Sequence, residues 1–277
     1  MKRPGRAMRG VAVTALWGAL LLAPASGCGG GGDLDGDGLA DRSDNCPSLA
    51  NPDQTDVNAD GFGDACVPLS ATIAPDARLG ENFVIGPQGI VKQGVSVGDN
   101  ARLGSRAKLA KQVTAGDDLR MGDRSQVRAN VRLGDGVALG AGVRVGHSSR
   151  IGDRTSVGAG TLMRSATIGE DVQLGKRVDI RAGTQVGDRA VVGDQSLLRG
   201  KSVLGEGVAL GSGVRVGSGV TVGPRVRIGD RTQVGKGSVI GPDASIGADV
   251  SIGQNVEVAE GAEIADGSQI PAGSRVP

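Results

Sequence analysis

The sequence predicts an all-β chain wound into a three-sided solenoid, and three observations predict it. From Ile73 an aliphatic residue returns every six positions, through Leu79, Ile85, Val91 and Val97 to Ile151 and Val157. A second register opens at Ile168 and runs through Leu174 and Ile180 to Ile264, Ile270 and Val276. About 35 hexads therefore fill residues 71–277, with one slip near Thr161 to Ser165. The second observation is a small or β-branched residue two places before each aliphatic, as at Ala77, Val95, Ala101, Val131, Thr155, Val172, Ser238 and Ala244. The third is a superperiod. The residue after the aliphatic is usually Gly, and as far as residue 199 departs from Gly at Ala74, Lys92, Ala110, Arg128, Arg164, Arg181 and Arg199. Those departures stand one or two steps of 18 apart, or 17 across the slip.

Each part of the hexad has a physical reading. Residues i and i−2 of a strand face the same way, so the aliphatic and the small residue both point inward. The Gly that follows can take φ > 0 where the chain turns. One such strand cannot bury its inner face alone, so successive strands coil and stack. Three hexads per coil make a triangular prism. At about 4.8 Å per coil, some 11 or 12 coils give a rod roughly 55 Å long.

Composition narrows the function. The chain has 277 residues, 50 of them Gly, and a net charge of +1. Its aromatic residues are Trp17, Phe62 and Phe83. That excludes a stacking platform for single-stranded nucleic acid, so no nucleic-acid partner is expected. It also argues against sugar binding by aromatic stacking. The near-neutral total hides a division. Residues 1–27 carry Lys2, Arg3, Arg6 and Arg9 and no acid, whereas residues 33–66 carry nine Asp against the single base Arg42.

Residues 1–27 read as an export signal: a basic start, an apolar run from Val11 to Ala23, and small residues before Cys28. The run is short for a membrane-spanning helix. Ala25-Ser26-Gly27-Cys28 resembles a bacterial lipobox, with Ala25 where Leu is usual. The resemblance implies cleavage before Cys28 and a diacylglyceryl thioether on its sulfur. Several acyl chains anchor stably to a membrane where one is marginal. Residues 28–32 then form a lipidated Cys with a Gly tether. The expected location is outside the cytoplasm, anchored at the outer membrane or cell surface, with the periplasmic side left open.

In residues 33–66, Asp33, Asp35 and Asp37 hold positions 1, 3 and 5 of a loop, Gly38 position 6, the Leu39 carbonyl position 7 and Asp44 position 12. That is the spacing of a calcium loop, with Asp44 in place of the usual long Glu. A second half-site follows at Asp56, Asn58, Asp60, the Phe62 carbonyl and Asp64, with Gly61 at the turn. Carboxylates this close repel one another without a cation, so Ca2+ is the expected cofactor. With its Asp-Asn-Cys-Pro and Asn-Pro-Asp-Gln segments, the stretch resembles a thrombospondin type 3 repeat. With Cys28 lipidated, Cys46 and Cys66 remain as one disulfide in an oxidising compartment. The segment has almost no core of its own, so calcium and the disulfide order it. Residues 67–72 join it directly to the first coil, where it would cover the open end of the prism. Its core is expected to be separate from that of the solenoid.

The hexad pattern resembles the hexapeptide-repeat left-handed parallel β-helix of bacterial acyl- and acetyltransferases. The resemblance supplies the left-handedness, since parallel crossovers are otherwise right-handed. The closing Ile270-Pro271-Ala272-Gly273-Ser274 is similar to the end of many such enzymes, without their helical C-terminal extension. His147, in VGHSSRIGDRTSVGAG, resembles their catalytic general base, and is also a turn residue of the repeat. A zinc site of the β-helical carbonic anhydrase kind needs three His per metal, and this chain has one His.

The corners differ in charge. One carries Glu81, Asp99, Asp117, Asp135, Asp153, Glu170, Asp188 and Glu206. Those side chains are expected to cap turn amides or to form a cation-binding or self-association edge. Another carries Lys92, Arg128, Arg164, Arg181 and Arg199, a solvated ridge or a site for surface anions such as lipopolysaccharide phosphates. Three functions compete. The first is a lipid-anchored, calcium-binding scaffold or adhesin of the cell envelope, with a cell-surface polysaccharide or protein as partner. The second is a hexapeptide-class acyltransferase using His147. The third is an anion binder using the basic corner. A homotrimer is common among the enzymes, but no continuous apolar strip marks a trimer face here.

Overall fold

The computed structural model describes residues 32–56, 61–68 and 70–277. The export signal, Cys28, Asn58 and Asp60 lie outside the described residues. The architecture is the all-β parallel helix expected from the hexads. Two-residue strands run from β1 (Thr72–Ile73) and β2 (Arg78–Leu79) through β3 (Val84–Ile85) and β4 (Ile90–Val91) to β33 (Glu263–Ile264), β34 (Gln269–Ile270) and β35 (Arg275–Val276). Each strand pairs in parallel with the third strand after it, as Thr72 with Ile90 and Ile73 with Val91. Three sheets result. The first has 12 strands from β1 to β34, the second 12 from β2 to β35 and the third 11 from β3 to β33.

The second residue of each strand is the hexad aliphatic, and it is buried through the middle of the rod: Leu109 0%, Val145 0%, Ile180 0%. The small residue two places earlier is equally buried. Where that residue carries a hydroxyl, the oxygen stitches coils together. Thr155 Oγ1 donates to the Gly169 carbonyl (2.9 Å) and accepts from the Val172 N–H (3.2 Å). Buried hydroxyls are tolerated because both their roles are filled.

The turn geometry corrects the expected role of Gly. The residue with φ > 0 is not the one after the aliphatic but stands two places later: Asn82 (57°), Gly94 (68°), Gln112 (57°), Arg154 (54°). It is the third residue of a four-residue turn closed by bonds such as Gly89 N–H to Gly86 O, 3.1 Å. Positive φ at that position, with Pro75, Pro87, Pro224 and Pro242 at the position before it, is the pattern of a type II turn. The Gly after the aliphatic is required instead by close approach. A Cβ on Gly98 would stand 2.1 Å from Asp117 Oδ1 and 2.7 Å from the Gly116 carbonyl carbon.

The register slip falls in one corner. Arg150 pairs with Thr167 and Ile151 with Ile168, 17 residues on, so the turn Arg164-Ser165-Ala166 is one residue short.

At the N-terminal end, the cores are continuous, which overturns the expectation that they are separate. Cys46, Cys66 and Val67 belong to the same buried cluster as Phe83 and Ile85, and Phe62 packs against it. The Ile85 N–H donates to the Cys66 carbonyl at 2.9 Å. Cys66 thus serves the edge of the third sheet as a preceding coil would. At the other end, amides after the aliphatics point onward along the rod, as Gly80 does to Val97 O (3.0 Å). Pro271 and Pro277 hold that position in the last coil, which removes two open donors from the edge.

Candidate metal centre and the single histidine

The loop at Asp33 is built by carboxylates bonding its own backbone. Asp33 Oδ1 accepts from Gly36 N–H (2.8 Å) and Oδ2 from Gly38 N–H (3.1 Å). Asp37 Oδ1 accepts from Leu39 N–H at 2.9 Å. The two glycines take φ of 78° and 96°, which bends the loop inward. One oxygen from each of Asp33, Asp35 and Asp37 lies within 4.8 Å of the others. Asp35 Oδ2 is buried and has no hydrogen-bond partner. Burial pushes the Asp35 carboxyl above its ordinary pKa, the Asp37 N–H partly opposes this, and the charges of Asp37, Asp44 and Asp33 add to the rise. A buried oxygen without a donor, beside two more carboxylates, is a set that a hard divalent cation satisfies. The residues fit Ca2+, with Asp33, Asp35 and Asp37 as the carboxylate ligands and the Leu39 carbonyl next in the loop.

Asp44 is not one of that group. Its Oδ1 accepts from Cys46 N–H (2.8 Å) and from Gln54 Nε2 (2.7 Å), and the residue is buried. Gln54 also accepts the Asn45 N–H (2.8 Å), while Asn51 donates from Nδ2 to Asn45 Oδ1 (2.7 Å) and from its N–H to Asp37 Oδ2 (2.9 Å). This network locks the Asp-Asn-Cys-Pro segment to the Asn-Pro-Asp-Gln segment. Gly63 lets them close, since a Cβ there would meet Asn45 Oδ1 at 2.3 Å and Cys46 Sγ at 2.6 Å. The Cys46–Cys66 disulfide is formed, with a Cα separation of 5.6 Å. Sequence reasoning singled out these motif residues but missed what they do. It also missed Asp41, whose Oδ1 accepts the Leu34 N–H at 2.8 Å.

Of the second half-site, Asn58 and Asp60 lie outside the described residues. Asp56 Oδ2 accepts from Gly61 N–H (3.0 Å), Asp64 Oδ1 is buried without a hydrogen-bond partner, and Phe62 packs on the core.

His147 is exposed in the corner between the first and second sheets, after β13 (Arg144–Val145) and before β14 (Arg150–Ile151). Among the described residues no side chain bonds its ring. Its carbonyl lies over the shortened turn and accepts from Ser165 Oγ at 2.9 Å. In neighbouring coils that carbonyl position accepts a backbone amide, as Ala129 O does from Ser148 N–H (3.1 Å). The deletion removed the amide, and the Ser165 hydroxyl replaces it. A cleft of about 650 Å³ lies at another corner, along Pro87, Arg106, Arg124 and Gly142, and one of about 460 Å³ lies between Arg42, Phe62 and Phe83. Neither includes His147.

The acidic row runs along the corner between the second and third sheets. It is a ladder in which each Asp caps an amide one coil earlier. Asp99 Oδ1 accepts from Glu81 N–H (2.7 Å), Asp117 from Asp99 (2.8 Å), Asp135 from Asp117 (3.0 Å) and Asp153 from Asp135 (3.0 Å). Two of the Glu members face cations instead, Glu170 with Arg154 at 3.4 Å and Glu206 with Arg189. The basic row, Lys92, Arg128, Arg164, Arg181 and Arg199, lies on the same corner as His147.

Comparison with known families divides the chain in the same way. A thrombospondin type 3 repeat matches residues 28–54. The hexapeptide repeat of succinyl-transferase matches residues 77–107, the GMPPB C-terminal domain residues 109–207, and the bacterial transferase hexapeptide residues 225–260. No curated protein matches the chain. Among solved structures, a UDP-N-acetylglucosamine acyltransferase is 17% identical over 72% of this chain and 70% of its own, with a TM-score of 0.39. The Arabidopsis UDP-N-acetylglucosamine acyltransferase is 16% identical over 71% of each chain, with a TM-score of 0.32. The acetyltransferase domain of PglB from Neisseria gonorrhoeae FA1090, solved with acetyl coenzyme A, is 21% identical over 40% of this chain and 50% of its own, with a TM-score of 0.26. The chain therefore joins a thrombospondin type 3 repeat to a hexapeptide-repeat parallel β-helix.

Proposed function

We propose that this protein is a calcium-binding scaffold of the cell envelope, held to a membrane by lipid on Cys28, with its β-helix as a structural or adhesive rod. The observation that carries the reading is the convergence of Asp33, Asp35 and Asp37 within 4.8 Å around a buried, unpartnered Asp35 oxygen. Bound Ca2+ would neutralise these carboxylates and hold the loop closed. The cap it orders is continuous with the rod's core through Cys66, Val67 and Phe83. Cation binding would therefore stabilise one end of the rod. The rod's exposed positions are largely committed to holding coils together, as the Asp ladder illustrates. Calorimetry on the full chain should show Ca2+ uptake that Asp35→Asn reduces at least ~10-fold, as loss of a charged ligand weakens an oxygen site. No uptake at millimolar Ca2+ would refute the cation reading. Fatty-acid labelling lost in Cys28→Ser would support the anchor, and equal labelling would remove it.

The hexapeptide repeats support a second reading, an O- or N-acyltransferase with His147 as general base. A base needs a donor and an acceptor positioned beside it. His147 stands exposed on a convex corner, which favours the scaffold. Transfer from acetyl- or longer acyl-thioesters to amino sugars, present in wild type and absent in His147→Ala, would reverse that preference.

A further inference from the structure

The corner holding Lys92, Lys111, Arg128, Arg164, Arg181 and Arg199 differs from the other two in one respect. From residue 77 to residue 277, the turns that join the first sheet to the second contain no Asp or Glu. These six cations occupy six of the seven coils between Lys92 and Arg199, about 4.8 Å apart, the coil of His147 having no Lys or Arg in this turn; Lys201 and Lys236 stand on the same corner. The arginines among them are exposed.

On the other corners several arginines are neutralised from the adjacent coil, while Arg106 bonds the neutral Gln88. Arg154 forks onto Asp171 (2.7 and 2.8 Å), Arg225 onto Asp243 (2.7 and 2.6 Å) and Arg231 onto Asp249 (2.7 and 2.6 Å). On the basic corner, Arg181 reaches Asp179 of its own strand at 3.6 Å. Among the described residues, Lys92, Arg128, Arg164 and Arg199 meet no acid. Beside the corner, on the first sheet, a groove of about 370 Å³ opens between Arg199, Arg215, Gln233, Lys236 and Gln254. Two guanidinium forks, an ammonium and two amides are donors suited to a carboxylated or phosphorylated sugar ring.

We propose that this corner is a binding edge for a linear acidic polysaccharide, which lies along the rod with its anionic groups against the cation-bearing coils and one sugar in the Arg199–Lys236 groove. The proposal goes beyond the calcium reading and does not rest on it. A line of cations at one or two coil spacings, of which, among the described residues, Arg181 alone of the arginines meets an acid, matches a chain of regularly spaced anions. A lipid surface would call for a continuous basic face, whereas the outward positions of the first sheet beside this edge mix Lys108, Arg144 and Arg215 with Ile90, Leu162, Asp179 and Leu197. Nucleic-acid bases would call for stacking aromatics, and Phe83 is buried in the core. With no aromatic platform, binding is electrostatic and falls with added salt.

The test uses the full chain, calcium-loaded, in neutral detergent, with fluorescein-labelled hyaluronate as the probe. We expect binding that is lost at high salt. The triple variant R164Q/R181Q/R199Q should bind at least ~10-fold more weakly, a loss of the size expected when several solvent-exposed charge contacts go together. R164K/R181K/R199K should retain most of the affinity and so separates lost charge from lost folding. The comparison variant R154Q/R225Q/R231Q removes the same number of charges from the paired corners and should change binding less than ~2-fold. Equal losses in the two Gln variants would overturn the proposal, since bulk charge would then explain the binding. No binding of hyaluronate at low salt would also overturn it. Tighter binding to phosphatidylglycerol vesicles or to duplex DNA than to the glycan would overturn the choice of partner.

Discussion

Removing both ties of the N-terminal cap should uncover the first coil of the rod and leave the middle intact. The perturbation is chelation of Ca2+ combined with reduction of Cys46–Cys66. The bridge closes a loop with a sequence separation of 20. A loop of that size contributes about 3 kcal/mol by restricting the unfolded chain. Every 1.4 kcal/mol is a factor of ten, so losing the bridge raises the opening constant of the cap about 100-fold. Opening also releases Val67 and Phe83, now 4% and 3% exposed. Chelation alone leaves three carboxylates within 4.8 Å of one another without a counter-charge, while the disulfide still holds the loop.

The assay is hydrogen exchange at the Ile85 amide, because its acceptor is the Cys66 carbonyl at 2.9 Å. We expect its exchange to rise about 100-fold under the double treatment, and less under either alone. The Gly122 amide, bonded to Leu139 O at 2.7 Å in the middle of the rod, is the internal reference and should not change. Ile85 exchange that is the same under all conditions would refute the coupling of cap and rod. An equal rise at Gly122 would refute the claim that the effect is local.

Three further outcomes follow from the turns. Gly116→Ala should destabilise the rod by about 2 kcal/mol or more, because its Cβ would fall 1.8 Å from Asp135 Oδ1 and break a charged hydrogen bond. Gly136→Ala, where φ is 66° and the nearest atom stands 3.7 Å away, should cost only the left-handed strain of about 1 kcal/mol; equal denaturant midpoints would contradict the assignment. Ser165→Ala leaves the His147 carbonyl without its 2.9 Å donor and should cost about 1 kcal/mol, with Ser165→Thr milder, both read by urea unfolding. Asp171, Asp243 and Asp249 are held below the ordinary carboxylate pKa by hydrogen bonds from Arg154, Arg225 and Arg231. Their stabilisation is present above that ordinary value and lost as pH falls through the lowered one, so melting temperatures from pH 6 to 2 should fall less steeply in R154Q/R225Q/R231Q.

The rod was legible in the sequence because its strongest signal is geometric. Each hexad aliphatic from Ile73 to Val276 is the second residue of a strand. The slip was legible too, although its place, between Met163 and Ile168, needed the strand pairing. The role of Gly was misread for a definite reason. A glycine can mark a left-handed φ or a lack of room, and composition does not separate the two. Here Gly98 and Gly116 mark a lack of room, while Asn100, Gln112 and Arg154 take the left-handed turn position. The Asp33–Asp35–Asp37 group was readable from spacing because its carboxylates are local. The second role of Asp44 was not, because Gln54, which bonds one of its oxygens, lies ten residues away. The continuity of cap and rod rests on the packing of Cys46, Cys66 and Val67 with Phe83 and on the direction of the Cys66 carbonyl, which no residue pattern encodes.

The turns also explain how bulky residues are tolerated at positive φ. Stacked coils place the left-handed residues above one another, and their side chains bond along the rod. Asn82 donates to Asn100 Oδ1 (2.9 Å), Arg106 to Gln88 Oε1 (2.8 Å), and Arg231 forks onto Asp249. The local strain of each turn is thus offset by a contact that only the repeat can supply. The consequence for function is that most polar residues on the corners are already engaged in holding coils together. Binding capacity on such a rod is found where a column of side chains departs from that pairing. Among the described residues, the Asp35 carboxylate in the cap and the cationic edge from Lys92 to Arg199 do so.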